Sequence, residues 1–299
     1  MKNFNSPKLT ARLNYDHLTA FLFILPAFLQ YFIFVIIPFF YISFVGFFKW
    51  DGMSQPQNVG ISNYLELIHD RVFWSSIKVS FIYMAGTTLV VMVLALVFAF
   101  LLNKSFRGRN FFRVSFYVPT ILPYVATGLI WAWLLEYNYG LVNYVLDVFH
   151  IQKVGWLTEP SLALISIIIV GVWRNFGYYM VLYLAGLQTI PGQLYEAANI
   201  DGASAWQQFK YITLPLLKPI STMILIVCSI RSFQVFSEVF VMTSGGPMRA
   251  TNVILYYIYE QTFDNFRLGF GSAMTIVIFS LLFVLAMIQW KVSKQNPEF

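Results

Sequence analysis

The stretch "YEAANIDGASAWQQFKYITLPLLKP", residues 195–219, lies between two runs apolar enough to cross a membrane. It is long and well ordered for a mere connection. "QLYEAANI" (193–200) has the length of about two helical turns, and Tyr195, Ala198 and Asn199 share one face by i, i+3, i+4 spacing. Asp201-Gly202 is a turn signal, because glycine tolerates positive φ where the chain must bend. "ASAWQQFKYI" (203–212) resumes the helical pattern, with Trp206, Phe209 and Ile212 spaced to face one way. Pro215 fits the first turn of a following helix. The stretch therefore predicts a short helix, a glycine-hinged turn and a second helical piece that enters the membrane. Its residues leave two roles open, a helix lying on lipid or a docking element for another surface. Glu196 and Asp201 weigh against lipid, since anionic leaflets attract basic segments.

The rest of the chain agrees with a membrane setting. Only 11% of its residues are charged and 59% are hydrophobic, whereas soluble domains are about a quarter charged. A net charge of +6 invites the idea of nucleic acid, but the Lys and Arg residues cluster at the ends of apolar runs, so the bilayer is the expected partner and nucleic acid is not. Cys228 stands alone, which excludes an internal disulfide. His17, His69 and His150 are far apart, so no metal site and no zinc or redox enzyme is expected. Leu18–Phe48 runs uncharged for 31 residues, well beyond the roughly 7–15 apolar residues of a secretory signal.

About 20 apolar residues cross the hydrocarbon core. By that measure the chain is an all-α integral membrane protein with six spans, at about 18–48, 79–103, 114–135, 160–188, 219–243 and 268–290. Residues 1–17 and 291–299 form tails, and 189–218 form the loop quoted above. With the N-terminus inside, eleven Lys and Arg fall in inner segments and six in outer ones, as the positive-inside rule requires. "NKSFRGRNFFR" (103–113), with four bases and no acid, carries the most weight. Both termini and the 189–218 loop are therefore cytoplasmic. The outer segments 49–78 and 136–160 are short, with Trp50, Trp74 and Trp156 as interfacial anchors.

The loop carries the pattern E-A-A, three residues, G, nine residues, I-x-L-P: Glu196, Ala197, Ala198, Gly202, Ile212, Leu214 and Pro215. This resembles the EAA loop of bacterial binding-protein-dependent ABC importer permeases. "VGISNYLEL" (59–67), "FW" (73–74) and "VMTSGGPMRATNVILYYIYEQTF" (241–263) are similar to the carbohydrate branch of that family. The resemblance runs from about residue 18 to 290. It implies a type I ABC importer permease fold in a bacterial inner membrane and a coupling helix seated in a cleft of a separate ATPase. Glu196, Ala197, Ala198, Asp201, Gly202, Ile212, Leu214 and Pro215 would form the coupling element. The implied partners are a second, related permease chain, an ATPase dimer, an extracellular solute-binding protein and a sugar or oligosaccharide. The chain has no G-x-x-x-x-G-K-[ST] pattern, so it is expected to be no enzyme, with ATP and magnesium held by the separate ATPase and no cofactor of its own.

Ionisable groups within spans cost about 2.5–3.5 kcal/mol on insertion scales and should face protein or a watery path. Arg174 lies in "WRNFGYY" (173–179), where Asn175, Tyr178 and Tyr179 add the amide and aromatic faces a sugar uses. Related permeases resemble this chain in having a base near that place. Arg231, Ser232, Gln234 and Glu238 lie in "IRSFQVFSEVF" (230–240), and the base at 231 departs from the family pattern. Two readings stand. Arg231, Gln234 and Glu238 form a buried network, or Arg231 faces the path and attracts an acidic, uronate-type substrate through guanidinium–carboxylate pairing. "TSGGP" (243–247), with Gly245, Gly246 and Pro247, is a turn that the resemblance puts on the binding-protein side. The competing function is a stand-alone secondary transporter or channel. A membrane enzyme would need clustered His, Asp or Glu at one membrane face, and the chain has none.

Overall fold

Capping and proline, as much as apolarity, set where the helices begin and break. In the computed structural model the backbone is described for residues 7–294 and the side chains for 19–291. The expected tails at 1–17 and 291–299 lie partly outside these residues. Five helical stretches are long and apolar enough to cross a bilayer: Thr19–Val45, Arg71–Asn103, Pro160–Thr189, Lys218–Met242 and Leu268–Lys291. A bent pair, Arg109–Ile121 with Tyr124–Leu134, passes the same test when its two arms are taken together, and counted as one span it makes the sixth. We refer to these, in chain order, as the first to sixth spans.

The second span starts at Arg71, before the uncharged run that begins at Val79. Asp70 is its N-cap and accepts hydrogen bonds from the backbone N–H of Val72 (2.8 Å) and Phe73 (3.2 Å), satisfying donors that a helix start leaves unpaired. The same carboxylate accepts a bond from the Tyr257 hydroxyl at 2.6 Å.

The third span differs most from expectation. Its apolar run was expected to be one helix, and it is bent by 100° between Ile121 and Tyr124. The cause is Pro123. The residue before a proline is pushed out of the helical region, and Leu122 is extended at φ −64°, ψ 139°. The fifth span is also interrupted: its helix stops at Phe233 and resumes at Ser237.

Contacts divide the chain into two units. One comprises residues 1–68 and 261–277. It holds the first span, none of whose most apolar stretch is buried within the chain, and a short antiparallel pair, Phe48–Lys49 with Gln57–Asn58. The Asp51 carboxylate closes the connecting turn by accepting from the backbone of Met53 and Ser54 and from the Ser54 hydroxyl. Those bonds, the Ser54 backbone first, hold its pKa down at about 2.

The other unit comprises residues 69–260 and 278–299. Its centre is the second span packed along the fourth. Val91, Ala95, Ala99 and Leu102 form a stripe at helical spacing against Phe176, Tyr179, Met180, Tyr183, Leu184 and Leu187, with Ile224 and Cys228 of the fifth span completing the cluster. Small residues allow close approach, as is usual between helices in lipid. Gly171 meets the Tyr83 hydroxyl and Gly177 meets the Phe116 carbonyl oxygen so closely that a Cβ would overlap each.

Gly177→Ala should therefore destabilise the protein by about 1–3 kcal/mol, the usual penalty for overpacking. Gly192→Ala, where an added Cβ meets open space, should be close to neutral. Thermal unfolding of the two variants in detergent measures the difference; equal stability would show that the third and fourth spans pack more loosely.

Candidate functional site

The two helix breaks flank a cavity of about 240 Å³. The break in the third span places Tyr124 on its wall, and the break in the fifth places Gln234, Val235, Phe236, Ser237 and Glu238 there. Asn175 and Tyr179 reach it from the fourth span, Arg231 and Ser232 from the fifth, and Tyr83 from the second. A mixed lining of rings, amides, hydroxyls and two ionisable groups matches a polyhydroxylated solute, whose oxygens need polar partners and whose C–H faces pack on rings.

Six of the residues singled out from sequence meet here: Asn175, Tyr179, Arg231, Ser232, Gln234 and Glu238. Arg174 and Tyr178 do not line the cavity. Arg174 is 5% exposed, and its guanidinium donates to the carbonyls of Leu122 (2.8 Å) and Thr120 (3.4 Å). The Thr120 hydroxyl returns a bond to the Arg174 carbonyl at 3.0 Å. The guanidinium carbon sits 3.3 Å from the centroid of the Tyr124 ring, and Nε has no hydrogen-bond partner. Arg174 thus braces the bend of the third span. Tyr178 lies under the Arg231 guanidinium at 5.5 Å.

Of the two readings of these residues, the Arg231–Gln234–Glu238 network is not formed. Ion pairs among the described residues include Arg249–Glu260 and Arg267–Glu66, and neither involves Arg231 or Glu238. The spacing of seven residues would stack Arg231 and Glu238 on one helical face, but the helix ends between them. Glu238 is buried while Arg231 and Gln234 are exposed. Sequence reasoning missed Tyr83 and Tyr124. For Tyr124 the signal was present, since Leu122-Pro123 marks a break within an apolar run; for Tyr83 there was none.

The 189–218 loop follows the expected pattern. A helix spans Gly192–Ile200, Gly202 turns the chain at φ +74°, and Ser204 opens the next helix with a capping box to Gln207. Gln208 donates to the Asn199 side chain at 2.6 Å, closing the two arms. Trp206 stacks on Phe209, whose ring meets Phe100 edge-on at 5.4 Å. Residues Phe209–Thr213 widen into a π-turn just before Pro215. Proline supplies no N–H there, so the ladder shifts register. The Tyr195 hydroxyl and Thr213 Oγ1 are 2.8 Å apart and tie the loop helix to the foot of the fifth span. Glu196, Ala197, Asp201 and Gly202 are exposed, Leu214 is exposed, and Ala198, Ile212 and Pro215 are half-buried. Ile200, an apolar side chain, is 87% exposed.

Gly245, Gly246 and Pro247 sit in a turn held by the Thr251 hydroxyl, which donates to the Gly246 carbonyl at 2.6 Å. Gly245 takes φ +76° against the Tyr256 ring. Among the described residues, no group of three His, Cys, Asp or Glu side chains is placed to hold a metal ion.

A family model described as "binding-protein-dependent transport system inner membrane component" matches residues 91–295. The chain is 35% identical over 291 residues to the trehalose/maltose transport system permease protein MalF of Thermococcus litoralis, covering 96% of this chain and 97% of that one. It is 32% identical over 289 residues to the lactose transport system permease protein LacF of Rhizobium radiobacter, covering 94% and 96%. Among solved structures, a chain of a bacterial ABC transporter involved in the import of the acidic polysaccharide alginate superposes with a TM-score of 0.83 at 22% identity, covering 97% of this chain and 100% of that chain. At that identity the likeness speaks for the fold.

In a Cys228→Ser background, Gln234→Cys should react with a water-soluble maleimide at least about tenfold faster than Met180→Cys, because thiol reactivity follows access. Gln234 lines the cavity and Met180 is fully buried. Equal rates, read by mass shift in membranes, would mean that water does not reach the cavity.

Proposed function

This chain belongs to the binding-protein-dependent transport system inner membrane components, and on that premise we propose that it couples ATP hydrolysis on a separate subunit to sugar import through its 189–218 loop. It is a multi-pass ABC transporter permease and not itself an enzyme. In the proposed assembly it pairs with a second, related permease in a bacterial inner membrane. An ATPase dimer holds ATP and magnesium on the cytoplasmic side. A solute-binding protein delivers a sugar or short oligosaccharide from outside, in keeping with the trehalose/maltose and lactose systems of its relatives.

The observation that carries the proposal is the exposed loop helix Gly192–Ile200 and its tie to the fifth span. Ile200 and the Glu196–Ala197 surface offer an apolar point and a small-residue face for a cleft on another protein. A shift of that helix passes through Tyr195 and Thr213 to the fifth span, which lines the cavity at its far end. Closing of the ATPase dimer would draw two such helices together and turn the permease pair outward.

For the substrate, Arg231 is the group that could select acidic sugars. Its guanidinium borders the cavity and forms no ion pair among the described residues, so it is available to a carboxylate.

Glu196→Lys and Gly202→Pro should leave membrane insertion intact and uncouple ATPase activity from uptake, because proline near φ −65° cannot occupy a +74° position. Uptake per ATP hydrolysed in proteoliposomes measures this; normal transport by both variants would refute the coupling role. Arg231→Gln should reduce uptake of uronate-containing oligosaccharides more than that of neutral ones. An equal loss for both would remove the acid-recognition role and leave the coupling role standing.

A further inference from the structure

We propose that Tyr124 is a substrate-contacting residue of the cavity and that Arg174, which the substrate does not touch, is the positioning residue that presents it. The inference rests on the import reading above. Tyr124 opens the second arm of the bent third span, immediately after Pro123. Its ring lines the cavity, whereas Arg174 does not. The guanidinium lies 3.3 Å from the ring centroid, so one face of the ring is covered by a cation and the part of the ring that reaches the cavity is left for a solute. A ring held this way offers a flat apolar wall to the C–H face of a pyranose, in a cavity that Asn175 and Arg231 also line.

The placement depends on Arg174. Where Pro123 breaks the helix, the carbonyls of Thr120 and Leu122 are released from regular pairing, and Arg174 collects both. The Thr120 hydroxyl locks the reverse direction on the Arg174 carbonyl. A single nitrogen, Nη2, donates to both carbonyls while Nη1 donates to the Asn175 side-chain oxygen at 3.3 Å, so the guanidinium ties the bend, and with it the position of Tyr124, to the fourth span. Lysine carries the same charge, but its single nitrogen has no plane to lay on the Tyr124 ring while it also reaches both carbonyls and the Asn175 side chain.

The test uses the complete transporter in proteoliposomes with saturating binding protein loaded with the sugar it carries. Sugar uptake and ATP hydrolysis are measured together. Tyr124→Ala should lower sugar moved per ATP at least about fivefold, the loss of roughly one ring contact by transition-state arithmetic, with binding-protein-stimulated ATPase activity retained. Tyr124→Phe, which keeps the ring, should transport normally. Arg174→Lys should resemble Tyr124→Ala, and the double variant should be no worse than either, as expected of residues acting as one unit. The proposal is overturned if Tyr124→Ala transports normally, if its uptake and ATPase activity fall together, or if the double variant shows the product of the single effects. Should Arg174→Lys fail to assemble, the comparison of Tyr124→Ala with Tyr124→Phe still decides. No uptake by the wild type would overturn the import reading, and this inference with it; normal wild-type uptake with an unaffected Tyr124→Ala would overturn this inference alone.

Discussion

Backbone polar groups inside a bilayer must find partners within the protein, because hydrocarbon offers none and each unpaired group costs several kcal/mol. The site described above is a response to that constraint. Breaking the third span releases carbonyls at Thr120 and Leu122, and Arg174 takes them up while its own burial is compensated by those bonds and by the Tyr124 ring. A buried guanidinium that looks extravagant beside apolar neighbours pairs the groups that the break at Pro123 leaves open. The bend in turn brings an aromatic side chain to the cavity wall.

A second chain of contacts runs from the cytoplasmic loop to the same cavity. Gly202 lets the loop fold back on itself, Tyr195 fastens it to Thr213, and the π-turn before Pro215 leads into the fifth span. That span ends its first helix at Phe233, among cavity-lining residues. Loop and cavity are therefore two ends of one continuous element rather than two separate sites. Packing between the second and fourth spans, through Ala95, Ala99 and Met180, forms one cluster with Leu217, Ile224 and Cys228, the last two of the fifth span, so the element is anchored to that pair along its length.

Much of this was legible in the residues. The loop's helix–turn–helix character followed from Gly202, Pro215 and the helical spacing on either side of the turn, and the approximate spans followed from the uncharged apolar runs. Local chemistry dictated those features. The bend and the break were harder. Pro123 announced an interruption without its angle, and nothing near Gln234 announced one, since residues 230–240 hold neither proline nor glycine. The pairing of Arg174 with carbonyls more than fifty positions away is a tertiary fact that no spacing along the chain encodes. The same holds for Arg231 and Glu238, whose apparent alignment depended on a helix that the fold interrupts.

The bend also changes the thickness of the barrier. The two arms of the third span have 13 and 11 residues, about 20 Å and 16 Å at the helical rise. Turned through 100°, they reach only roughly 23 Å end to end, against a hydrocarbon core of about 30 Å. A straight rod of the same residues would have cleared it. Along this element the protein itself spans less than the hydrocarbon thickness, and the shortfall of roughly 7 Å is left to neighbouring protein or to water.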